Sequence, residues 1–158
     1  MPTIITEGPV PPDCLRVHAL NLLVLRCSDF ERSLKFYRAL GLRFQRFRFA
    51  GSDAPCAAAL IPGPDFALTK TDPGAEIPCA SLQLLTAGGA TVTSGLAFGF
   101  FVESVDETME AVQLVEGEIL TPAKDWPYGR MGAVGDPDGN RIELSEAPVG
   151  RLTGGYGP

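Results

Sequence analysis

The sequence predicts an α+β fold built from two tandem βαβββ modules, and three observations predict it. An apolar run leading into a capped amphipathic helix occurs twice in the chain. The two occurrences are separated by one constant interval. Each is followed by three further strand-like segments, the pattern expected of a duplicated half-domain.

The first run, "VHALNLLVLRC" (17–27), is rich in leucine and valine and reads as a strand buried on both faces. In "SDFERSLKFYRALG" (28–41), Ser28 with Glu31 three residues on forms a capping box, and Gly41 is placed to end the helix. Phe30, Leu34 and Tyr37 recur at helical spacing and give that helix its apolar face. Strands are expected at 43–49, about 56–61 and 80–86. Between the last two lies "PGPDFALTKTDPGAEIPC" (62–79), whose prolines and acidic residues make it a loop, and a lid is one use for such a loop.

The second half repeats this order. "LAFGFFV" (96–102) is a strand, and "ESVDETMEAVQLVEG" (103–117) is a helix with Ser104 and Glu107 as its capping box. Val105, Met109 and Val112 form the stripe and Gly117 closes it. The cap serines are 104 − 28 = 76 residues apart and the closing glycines 117 − 41 = 76. Strands are expected at about 118–121, 130–135 and 140–145. The chain then divides into an extension at 1–15, one domain at 16–148 (module one about 16–90, module two about 94–148) and a tail at 149–158.

Composition narrows the function. A net charge of −6 argues against a nucleic-acid surface, which needs clustered Lys and Arg. The basic run "RFQRFRF" (43–49) reads as a strand with a polar outer face. No apolar run approaches the ~20 residues that span a bilayer. The opening "MPTIITEGPVPPDC" has neither a basic start nor an apolar signal core, so a cytoplasmic location is expected. Cys14, Cys27, Cys56 and Cys79 are widely spaced, contain no C-x-x-C pair and are expected as free thiols.

The paired βαβββ units, the helix "SDFERSLKFYRALGL" and the hairpin "GDPDGNRIEL" (135–144) resemble the vicinal oxygen chelate superfamily, over about residues 17–147. That superfamily includes glyoxalase I, extradiol dioxygenases, fosfomycin-resistance enzymes and bleomycin-resistance proteins. The resemblance implies a cup-shaped mixed sheet with helices on the outside. It also implies a divalent metal held by one side chain from the first and last strand of each module. Carried onto this chain, those positions are Leu22, Gln83, Ala97 and Glu143. Only Glu143 is an anionic ligand. The single histidine, His18, lies four residues before Leu22, about 13 Å along a strand. Nickel, zinc and iron favour imidazole or several carboxylates, so no metal and no cofactor are expected. In type the chain is closest to the metal-free bleomycin-resistance-like members.

Strand alternation, anchored at those positions, predicts the cup lining. Leu22, Val24 and Arg26 would face inward with Gln83, with Phe101 and with Glu143; Leu23, Leu25 and Cys27 would pack against the helix. Arg26 is expected to pair with Glu143. The "DPDG" turn is read as setting the register of the strand that carries Glu143. "WPYGR" is loosely similar to a W-G-x-R segment of bleomycin-resistance-type proteins. It offers Trp126 and Tyr128 for stacking and Arg130 for a ligand anion or for Glu143.

The function expected is a glyoxalase/bleomycin-resistance-like protein that binds or sequesters an aromatic or cationic small molecule, as a homodimer by the same resemblance. The alternatives are a metal-independent enzyme using Glu143 as a catalytic general base, and a glyoxalase-like lyase or dioxygenase with an atypical metal site.

Overall fold

A computed structural model describes residues 20–62, 79–127 and 129–146. The loop at 63–78, His18, Tyr128 and both chain ends therefore lie outside the described residues. Module one runs β1 (Leu22–Cys27), α1 (Phe30–Ala39), β2 (Phe44–Phe47), β3 (Cys56–Pro62) and β4 (Cys79–Thr86). Module two runs β5 (Ala97–Val102), α2 (Val105–Leu114), β6 (Glu118–Trp126), β7 (Gly129–Gly135) and β8 (Arg141–Glu146). The eight strands form two mixed four-stranded sheets of the same topology, β1-β4-β3-β2 and β5-β8-β7-β6. In each, the first and last strands of the module pair in parallel and the others antiparallel.

The repeat is tighter than the capping motifs suggest. β1 and β5 begin 97 − 22 = 75 residues apart, and α1 and α2 begin 105 − 30 = 75 apart. The interval is 75 because α1 is capped by Asp29 and not by Ser28: the Asp29 carboxylate accepts the Arg32 amide at 3.1 Å. Ser28 is engaged elsewhere, its hydroxyl and amide both donating to Asp138 in the β7–β8 turn. Ser104 caps α2 as expected, accepting from the Glu107 amide at 3.2 Å. At the far end the equivalent of Gly41 is Glu116, which takes the left-handed conformation at φ 61°. Gly117 is required for a different reason. A Cβ there would lie 2.4 Å from Val112 Cγ1 and 3.1 Å from the Phe36 ring.

One core unites the modules. Leu25, Leu34, Phe36, Tyr37, Leu82 and Leu84 from the first pack in one cluster with Val105, Val112, Val134, Ile142 and Leu144 from the second. The strand buried on both faces is corrected here. In β1 only the helix-facing side is buried, with Leu25 at 1% and Cys27 at 2% exposed, while Leu22 on the other side is 43% exposed. Alternation sends half of β1 into the helix layer and leaves the rest on an open sheet face.

The "DPDGN" turn does more than set a register. Asp136 is buried, and its carboxyl accepts the Tyr37 hydroxyl (2.6 Å), the Asn140 amide (2.8 Å), Asn140 Nδ2 (2.8 Å) and the Asp138 amide (2.9 Å). Asn140 in turn accepts from the Leu96 amide and donates to the Thr93 carbonyl. The hairpin thereby ties α1 of module one, the inter-module connection and module two into one network.

Two buried groups of this region have their pKa values raised by folding. Burial pushes the Cys27 thiol from 9.0 up to about 11, and burial followed by the charge of Asp136 raises the Tyr37 phenol. Both pKa values rise on folding. Their contribution is therefore complete below the unfolded values, about 9 for the thiol, and is lost as pH rises. Stability is expected to be flat from pH 7 to 8.5 and to fall above pH 9. The thiol alone accounts for up to about 1.4 kcal/mol per pH unit. Urea midpoints across this range test it; an unchanged midpoint at pH 10.5 contradicts it.

Candidate functional site

The sheet registers decide which predicted residues share a face. In module one, Val24 pairs with Gln83 and Leu22 with Ser81. In module two, Gly99 pairs with Glu143 and Ala97 with Arg141. Leu22 and Ala97 are equivalent under the 75-residue interval. Gln83 and Glu143, 143 − 83 = 60 residues apart, are equivalent by register, each opposite the residue two beyond Leu22 or Ala97. All four positions lie on the sheet faces turned away from the helices, with Val24, Arg26 and Phe101. Gly99 makes room for the Glu143 side chain, since a Cβ there would sit 3.2 Å from that of Glu143.

The expected Arg26–Glu143 pair does not form. Glu143 accepts from Arg141 Nε at 2.5 Å, and Arg141 also donates to the Thr121 hydroxyl at 3.0 Å. Arg141 stands two residues before Glu143 on the same strand face, so the partner is local. Arg26 is exposed on the other sheet and enters no ion pair among the described residues.

Arg130 is also displaced from the expected site. Ala133 opposes Glu143, which turns Met131 and Ala133 toward the open face and Arg130 toward the helices. There its guanidinium holds Asp106 of α2 (2.5 Å) and Asp125 (3.0 Å). The hydrogen bond from Arg130 keeps the Asp106 carboxyl below its ordinary value. This cation is committed to fastening β7 to the start of α2. Trp126 ends strand β6 and is 50% exposed on the open face, because Lys124 pairs with Met131 and Trp126 with Gly129, both two steps apart. Lys124 was not singled out by sequence reasoning. Its ammonium sits over the Trp126 ring, 5.1 Å from the centroid, and the K-x-W spacing on a strand was the signal for it.

A cavity of about 630 Å³ lies elsewhere, between the end of α1, β3, the end of β5 and the start of α2. Of the predicted site residues only Phe101 lines it, beside Leu42, Leu60 and Glu107. A second, of about 250 Å³, is lined by Arg46, Phe47, Arg48, Pro55 and Cys56 and contains none of them.

As metal donors the four superfamily positions fit poorly. Two are hydrocarbon, one is a neutral amide, and the carboxylate is already bonded to a guanidinium. Among the described residues no group of three His, Cys, Asp or Glu converges to hold an ion. No helix among them is long and apolar enough to cross a membrane.

Residues 19–144 match the family model for the Glyoxalase/Bleomycin resistance protein/Dioxygenase superfamily. No curated protein matches the chain. Similar solved structures include a glyoxalase-related enzyme from Fulvimarina pelagi, 23% identical over 84% of this chain and 91% of that one, with a TM-score of 0.58. An antibiotic-binding protein, TnmS3, from Streptomyces sp. CB03234 is 20% identical over 85% and 100%, with a TM-score of 0.57. A glyoxalase I mutant from Zea mays is 24% identical over 80% of this chain and 45% of that one, with a TM-score of 0.56. At these identities the likeness is one of fold.

Proposed function

Because the chain belongs to the glyoxalase/bleomycin resistance protein/dioxygenase superfamily, we propose that it is one of the members that bind a small aromatic molecule without transforming it. The observation that carries this reading is the character of the open sheet faces. The four positions that would supply metal ligands hold Leu22, Gln83, Ala97 and an Arg141-paired Glu143, while Trp126 and Phe101 stand exposed on the same side. The Glu143 carboxylate is already engaged by the Arg141 guanidinium at 2.5 Å, so it is not free to meet a substrate proton, which disfavours it as a general base. The antibiotic-binding role of a structural neighbour agrees with a sequestering function. A cytoplasmic homodimer goes with this reading: Leu22, Leu60 and Phe101 are large apolar side chains left uncovered on one chain.

Trp126 is the sole tryptophan, so its emission reports on the proposed site. Aromatic compounds are expected to quench it saturably, to be recovered chemically unchanged, and to bind equally well after treatment with a chelator. Conversion of a bound compound to a new product, or a stoichiometric metal needed for binding, would overturn the proposal.

A further inference from the structure

The open face of module two carries its charges in a specific order, and that order selects a ligand charge. Across the sheet, Thr121, Ala133, Glu143 and Gly99 form one row; Lys124, Met131, Ser145 and Phe101 form the next; Trp126 and Gly129 follow. In the first of these rows the Glu143 carboxylate is neutralised by Arg141. Two other carboxylates flank the Trp126 end along the chain, and both turn to the opposite face. Asp125 is bound by Arg130, and Glu146 accepts the Val105 amide at 2.9 Å. Glu118, also on the open face, lies at the far end of β6, beside Gly135. Lys124 is thus the one charge left at this end of the open face of β6 and β7 among the described residues, with the exposed Glu103 past the end of β5 at the opposite edge of the sheet. It is held against an exposed indole in a chain whose net charge is −6.

We propose that this corner recognises a planar aromatic acid, its ring laid against Trp126 and its carboxylate paired with the Lys124 ammonium. The inference rests on the binding reading above and reverses one expectation drawn from composition. Overall acidity suits a cationic ligand, but the acidic groups near Trp126 point away from it. A ligand cation placed on the indole would be repelled by the Lys124 ammonium, which already sits 5.1 Å from the ring centroid. An aromatic carboxylate keeps the cation–π contact and adds a charge-assisted hydrogen bond. Met131 and Gly129 supply an apolar floor without further charge.

Isothermal titration calorimetry with three probes of one shape tests this: 2-naphthoate, 2-naphthylmethanol and 2-naphthylmethylammonium. Naphthoate is expected to bind at least tenfold more tightly than the alcohol, with the ammonium weakest and the naphthoate advantage shrinking as salt is raised. Lys124→Gln should bring naphthoate and the alcohol within about threefold of each other, and Lys124→Glu should invert the order of naphthoate and ammonium. Both changes lie on an exposed edge strand, and circular dichroism confirms that the variants fold. Equal binding of all three probes, or preference for the ammonium, overturns the charge assignment and leaves the binding reading standing. Binding of none of them, to native protein or to either variant, overturns both.

Discussion

Replacing Asp136 with alanine is expected to destabilise the protein by about 3–4 kcal/mol, one of two strong effects at the junction of the modules. Its carboxyl accepts four hydrogen bonds in a buried setting, from Tyr37, Asp138 and twice from Asn140. Alanine leaves all four donors without that partner, and a buried donor left unpaired costs about 1–3 kcal/mol. The losses do not add fully, because Asn140 Nδ2 keeps the Thr93 carbonyl. Tyr37→Phe should cost less, about 1–2 kcal/mol, since the carboxyl keeps three of its donors. Urea denaturation of the three proteins gives the ordering. If Tyr37→Phe costs as much as Asp136→Ala, the network is not organised around the carboxyl.

The second expectation concerns Phe36. It is 2% exposed, stacks edge-on to Tyr37 with centroids 5.1 Å apart, and reaches the loop after α2 at Gly117. Phe36→Ala removes a ring that touches both modules, and a deletion of this kind costs about 3–5 kcal/mol. The variant should still unfold in one transition, because the remaining core is shared. Two separated transitions, one per module, would show that Phe36 rather than the whole cluster holds the halves together.

Much of this architecture is legible in the sequence alone. Both helices announce themselves through local capping residues, although the α1 cap falls at Asp29 rather than the expected Ser28, since capping depends on a few neighbouring residues. Leu22 and Ala97 stand 75 residues apart, the same interval as the starts of β1 and β5. What sequence could not supply was strand-to-strand register. Alternation relates residues within a strand, but only the pairing of Ala133 with Glu143 shows that Arg130 faces α2. β6 adds two irregularities, between Ile119 and Thr121 and between Thr121 and Lys124, that no local pattern reveals. Glu143 found its partner two residues away in Arg141, a choice that depends on side-chain conformation rather than on spacing.

The hairpin clamp also bears on the order of events in folding. Tyr37 and Asp136 are 99 residues apart in the chain, and Ser28 and Asp138 are 110 apart. Contacts closing loops of that length carry a large entropic cost that only a nearly complete structure offsets. Each βαβββ half can assemble on shorter-range pairing, with the clamp engaging afterwards as the halves dock. Bonds absent from the transition state act on the rate of opening and leave the rate of closing almost unchanged. The turn that carries the family signature is, in kinetic terms, a latch, and its residues set how long the folded protein lasts.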